Sequence, residues 1–169
     1  MQYCWLRAAA ALLLSACTSR PCMGNLRVVY QIDPAFTATE ADAIRDAMAA
    51  WQDGTDGWAC FLPGLSGIRF LRVTDADEVR AVDMRHGEEV WGYWNPRERV
   101  VGLIVDRLGT QDILALVARH EIGHVLGVPH TTGNVRSWMH PRVDASTPPD
   151  WLPRYDHARF CRMHGCAER

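Results

Sequence analysis

The run His120-Glu121-Ile122-Gly123-His124-Val125-Leu126-Gly127-Val128-Pro129-His130 constrains the fold more tightly than any other part of the chain. Its first two histidines stand four residues apart. On a helix both imidazoles therefore share one face and can offer a nitrogen to one metal ion at about 2 Å. A continued helix would carry the chain past that ion. Gly127 lets it stop, because glycine takes the left-handed conformation that closes a helix without a Cβ clash, and Pro129 keeps the helix from resuming. His130 then returns to the same point as a third ligand. The segment demands a helix, a sharp turn and a chain that doubles back.

Three neutral imidazoles and one open position are the donor set of a catalytic zinc site, whereas structural zinc sites usually fill all four positions with Cys or His. An ion held this way keeps its full charge, brings the pKa of water from about 16 towards roughly 7, and polarises a carbonyl. Glu121 follows the first ligand and lies beside the ligand face. From there its carboxylate can take a proton from the water and later deliver it to a leaving amine. Chance assembly of these five fixed residues is on the order of one in ten thousand or less at average residue usage, so coincidence is set aside.

The chain opens Met1-Gln2-Tyr3-Cys4-Trp5-Leu6-Arg7 and runs on through a small apolar stretch from Ala8 to Ala16. That stretch is too short to cross a bilayer as a stable helix, and residues 1–16 read as an export signal. Leu14-Ser15-Ala16-Cys17 is similar to a bacterial lipobox, in which the cysteine is acylated and becomes the new N-terminus. An ordinary secretory signal ending at Ala16 is the other reading. The expectation is a lipidated tether over 17–25, anchored to a membrane of the cell envelope through Cys17, followed by a single domain over 26–169. Threonine after Cys17, where aspartate often marks inner-membrane retention, points to the outer membrane in a Gram-negative host. Once Cys4 and Cys17 are accounted for, Cys22, Cys60, Cys161 and Cys166 remain, an even number that reads as two disulfides in an exported chain. Basic residues are scattered and the net charge is only −2, which excludes a nucleic-acid face.

The pattern along the domain predicts an α/β architecture. Leu26 to Ile32 is apolar and β-branched enough for a strand that Asp33-Pro34 stops. Thr37 and Glu40 fit a capping box, and Ile44, Met48 and Trp51 form one helical stripe that Gly54 and Gly57 close. After a loop through Pro63 and Gly64, extended segments are expected at Ile68 to Val73, Val79 to Met84, Val90 to Trp94 and Val100 to Val105. Thr110 caps a helix from Gln111 to about Leu126, and Pro153 begins a last one ending near Met163. The first strand and first helix run in opposite directions, so the residue before one and the loop after the other share an end of the domain. That pairs Cys22 with Cys60 and leaves Cys161 with Cys166.

The residues around the histidine run resemble those of the matrixins, the matrix-metalloproteinase branch of the metzincin zinc proteases, over most of the chain after the tether. Leu114 to Arg119 is similar to the family's lead-in, and Thr131 stands where matrixins usually carry serine. Ser137-Trp138-Met139-His140-Pro141 resembles the Met-turn, which makes Met139 the apolar floor beneath the metal. Astacin-like enzymes place a tyrosine ligand two residues after that methionine, where this chain has Pro141. Tyr155-Asp156 and His164-Gly165 are similar to the aspartate and closing pair of the third matrixin helix. The resemblance implies a zincin-like catalytic domain: a twisted mixed sheet, an active-site helix, a Met-turn and a C-terminal helix. It implies zinc on His120, His124 and His130, Glu121 as catalytic base, and Gly92, Tyr93 and Trp94 as an edge strand that binds an extended polypeptide by β-augmentation. The chain lacks the histidine-and-aspartate loop that holds a structural zinc in animal matrixins, which leaves structural calcium open.

The expected activity is zinc-dependent hydrolysis of internal peptide bonds in extracytoplasmic polypeptides, by a monomer. A zinc-containing binding module without turnover is an alternative that the intact Glu121 argues against. A zinc hydrolase of a non-peptide amide is another, opposed by the edge strand. Arg20-Pro21-Cys22-Met23-Gly24 superficially resembles the matrixin latency segment, but its residue order differs and a disulfide for Cys22 is the expectation instead.

Overall fold

The structure is a computed structural model that describes residues 21–86, 89–133, 135–142 and 151–168. The expected export signal, Cys17 and the first residues of the expected tether lie outside the described residues. In chain order the elements are β1 (Leu26–Ile32), α1 (Ala38–Gly54), β2 (Ala59–Pro63), β3 (Ile68–Val73), α2 (Ala76–His86), β4 (Gly92–Asn95), β5 (Val100–Ile104), α3 (Val105–Leu108), α4 (Gln111–Val125) and α5 (Arg154–His164).

The five strands form one mixed sheet in the order β2-β1-β3-β5-β4. All neighbours are parallel except β4, which runs antiparallel to β5 and forms an edge, with Gly92 opposite Leu103 and Trp94 opposite Val101. Helices α1 and α4 pack on each other and contact the sheet. The α1 stripe supplies Ile44, Met48 and Trp51 to the core, all at most 3% exposed. Its start is held by a reciprocal capping box, in which Thr37 Oγ1 accepts from the Glu40 amide and Glu40 Oε2 accepts from the Thr37 amide. Trp51 also donates its indole N–H to the carbonyl of Arg119 at 2.8 Å, which ties α1 to the helix carrying the histidines.

Besides the short helix α3, where the sequence predicts only the end of a strand, two elements differ from the sequence expectation. Val79 to Met84 is not a strand but part of α2. Asp75 Oδ1 accepts from the amides of Asp77 and Glu78, acidic residues fill the first turn, and Val82 is the single apolar side chain of the segment that is fully buried. One buried side chain does not define a period of two. Ala59–Pro63, placed in a loop by its proline, is strand β2. A proline is tolerated because β2 lies on the sheet edge, where an absent N–H breaks no ladder.

Both disulfides form as expected. Cys22 and Cys60 have Cα atoms 5.5 Å apart at the shared start of β1 and β2, and Cys161 and Cys166 are 4.5 Å apart at the end of α5. Cys22 is thereby engaged away from the histidines. Among the described residues no helix is long and apolar enough to cross a membrane.

Candidate metal centre and its cleft

Helix α4 begins at Thr110, whose hydroxyl accepts from the Ile113 amide, and presents His120 and His124 one turn apart. It ends in a paired closure. The Gly127 amide donates to His124 O at 2.9 Å, and the Val128 amide donates to Gly123 O at 2.8 Å, with Gly127 at φ +82°. This is a Schellman turn, and it reverses the chain so that His130 faces the two helical histidines.

The three imidazoles converge. Nε2 of His120 lies 3.2 Å from Nε2 of His124 and 3.0 Å from that of His130, and the third separation is 3.0 Å. Bonds of about 2.0–2.1 Å in a tetrahedral zinc site place ligand nitrogens roughly 3.3 Å apart, close to this triangle. The opposite ring nitrogens are engaged: Nδ1 of His120 donates to Trp138 O at 2.8 Å, and Nδ1 of His124 donates to Val128 O at 3.0 Å. Those bonds fix the tautomer that turns each Nε2 lone pair inward. Burial, with the neighbouring imidazoles, pushes His120 down to about 3 and His124 down to about 4, so both are neutral at physiological pH, as metal ligands must be. Three ring nitrogens converging on one point fit a single cation. No further residue joins this cluster among the described ones.

Glu121 is 6% exposed and lines the cleft beside the histidines. Burial pushes its carboxyl up to about 8 when no cation is near. Close approach of β4 makes this geometry possible: a Cβ on Gly92 would stand 2.7 Å from Val117 Cγ1 and 3.2 Å from Glu121 Cγ. Gly92 therefore faces α4. By strand alternation Tyr93 faces the other side of the sheet, where its hydroxyl donates to Glu78 of α2 at 3.0 Å. Burial and that acidic neighbour hold the Tyr93 phenol up at about 12. Gly92, Tyr93 and Trp94 line a cavity of about 710 Å³ together with Pro129, Pro141 and Arg142.

Met139 is fully buried against α4, where a Cβ on Gly123 would strike it together with Trp51. Trp138 stacks edge-on against Trp51 at 5.4 Å. The turn that carries Met139 is held from α5: Asp156 Oδ1 accepts from Ser137 Oγ at 2.5 Å, and Oδ2 accepts from the Trp138 amide at 2.6 Å. The chain is similar to the solved structure of high choriolytic enzyme 1 (HCE-1), a hatching enzyme zinc-protease from Oryzias latipes, the medaka fish. The TM-score is 0.56 at 15% identity, over 95% of this chain and 100% of that one. The fold is a metzincin-like zincin fold. No family model and no curated protein matches the chain.

Within that fold, several contacts that support the centre are not legible in the sequence, even where the residue itself is singled out there, as His164 and Asp156 are. Arg159 of α5 donates to the carbonyl of His130 at 3.0 Å and stacks over Tyr155. His164 donates to Leu126 O at 2.8 Å, where α4 ends. Together with Asp156, these give α5 a hold on each of the three segments that bear or orient the histidines. On the far side of the cleft Arg107 pairs with Asp83 at 2.6 and 2.8 Å and also donates to Val90 O, while the Val90 amide donates to Asp83. That clamp fixes the chain entering β4. Of the other histidines, His157 is buried and His140 bonds the backbone of Arg142.

Proposed function

We propose that the chain is a zinc-dependent endopeptidase of the matrixin branch, exported and held in the cell envelope by a lipid on Cys17, that cleaves internal bonds of extended polypeptides. The observation that carries this reading is the convergence of three imidazole nitrogens within 3.2 Å, with Glu121 beside them, in a cleft walled by the edge strand β4.

His120, His124 and His130 would hold the ion. When bound, zinc supplies a Lewis acid for a carbonyl and renders water acidic at neutral pH. With the ion in place, the Glu121 carboxylate would be positioned to accept a proton from water and return it to a departing amine. Among the described residues the outer edge of β4 has no strand partner, so its amides and carbonyls can align a peptide main chain as an added strand. Main-chain pairing tolerates many sequences, which suits an endopeptidase better than a hydrolase of small amides. Met139 and Trp138 give the ligands a rigid, dry floor.

The test uses the mature chain loaded with one equivalent of zinc and an unfolded polypeptide as substrate. Internal cleavage that a chelator abolishes and zinc restores is the expected result; a zinc-loaded chain that cleaves nothing would leave the binding-module reading. Mass spectrometry of the mature N-terminus tests the anchor, with diacylglyceryl-modified Cys17 expected and an intact Met1–Ala16 segment in native cells contradicting export.

A further inference from the structure

We infer that the cleft selects an acidic side chain at a position adjoining the cleaved bond, with Arg142 as the residue that recognises it. The inference rests on the peptidase reading and deepens it. The cavity that holds His120 and Glu121 is bounded largely by apolar side chains, among them Val90, Trp91, Val117 and Pro141, with Arg142 on the same lining. Apart from the imidazoles, Arg142 is the one cationic side chain of that lining. Its backbone is tied down, since the His140 ring lies 3.1 Å from Arg142 O and 3.3 Å from Arg142 N. Its guanidinium forms no hydrogen bond or ion pair with a described residue.

The two acids of the same lining are both committed elsewhere. Glu89 lies 3.6 Å from Arg107 Nε and accepts from the Trp91 indole at 3.3 Å, and Glu121 is buried against the histidines. Among the described residues, therefore, no acidic side chain offsets the exposed positive charge that Arg142 adds to the cleft lining. Arginine stays charged at any working pH and presents a planar fork that matches a carboxylate with two parallel hydrogen bonds. Arg142 is exposed in the free chain, where an ion pair is worth little. A peptide laid along β4 would cover it, and the apolar walls then strengthen the pair over one in open water, while a lysine or arginine side chain placed there meets like charge. An extended peptide laid along β4 sends alternate side chains to opposite faces, so a side chain beside the scissile bond is directed into this cavity.

Cleavage-site profiling of the zinc-loaded parent on a proteome-derived peptide library is the first arm. Matched peptides carrying Glu, Leu or Lys at the enriched position are the second, read as ratios of kcat/KM for the parent, Arg142→Ala and Arg142→Glu. The third arm is binding: Glu121→Gln protein, with and without Arg142→Glu, titrated with the same labelled peptides by fluorescence anisotropy. The expected result is enrichment of Asp and Glu beside the cleaved bond. The Glu-to-Leu ratio should fall at least tenfold in Arg142→Ala, and Arg142→Glu should shift both turnover and binding towards the Lys peptide. Cleavage without acidic enrichment, or an enrichment that Arg142→Ala leaves intact, overturns this inference alone. Absence of cleavage of every library peptide by the zinc-loaded parent overturns the peptidase reading and this inference with it.

Discussion

Replacing Asp156 by alanine tests how α5 supports the metal centre from outside it. The carboxylate is fully buried and accepts from Ser137 Oγ and the Trp138 amide. Its loss strands two buried donors, each costing about 1–3 kcal/mol. Part of that is offset, because burial already pushes the Asp156 carboxyl above its usual range, against the hydrogen bonds that favour the ionised form. The net loss is about 2–4 kcal/mol, a fall in Tm of roughly 4–16 °C for a domain of this size. Trp138 also offers its carbonyl to His120 Nδ1, so a loosened turn lets the first ligand rotate. Zinc affinity should fall about tenfold, the lower end for lost partners of metal ligands. Urea unfolding of the zinc-free protein measures the first effect and competition with a chromophoric chelator the second. Asp156→Asn keeps one acceptor and should fall between. A stability loss under about 1 kcal/mol, or zinc affinity unchanged within twofold, would refute the reasoning.

Burial alone would raise the Glu40 carboxyl, but hydrogen bonds from Arg72 and Thr37 outweigh it and hold the group below its usual range. Its stabilisation is therefore present above the unfolded pKa and lost as pH falls through the folded one. The stability advantage of the parent over Glu40→Gln, under about 1 kcal/mol at neutral pH because the pair is partly exposed, should vanish in acid, as paired unfolding curves at several pH values will show. Arg159→Met removes the bond to the His130 carbonyl, and chelator-driven zinc release should quicken severalfold, with an altered visible spectrum in the cobalt-substituted protein. Arg107→Met breaks the clamp on Val90, and hydrogen exchange at the Val90 amide should rise at least tenfold while that of the α4 core amides does not change.

The parts of the fold that the sequence discloses are those set by local chemistry. Thr37 and Glu40 sit at capping-box spacing and do cap α1; Ile44, Met48 and Trp51 share a face and are buried together. The histidine triangle follows from four-residue spacing plus one glycine in the left-handed region, both of which act within a single turn of chain. The disulfide pairing follows from chain direction, which parallel β1 and β2 realise. Where local signals compete, the sequence misleads. Val79, Val82 and Met84 are apolar at mixed spacing, and the choice of helix rests on Asp75 capping the segment, which a strand reading ignores. Pro63 reads as a breaker unless the strand is known to lie at an edge. The ties from Arg159, His164 and the Asp83–Arg107 pair join residues 24 to 38 positions apart in sequence, so no local pattern reveals them.

The central claim is that Glu121 acts on water while the three histidines alone hold the metal. Glu121→Ala, purified beside the parent, should contain the same one zinc per chain by elemental analysis. Its turnover of an unfolded polypeptide should fall at least about 100-fold, the usual scale for losing a general base. A Glu121→Ala protein that binds no zinc, or that keeps activity within about tenfold of the parent, would contradict the account.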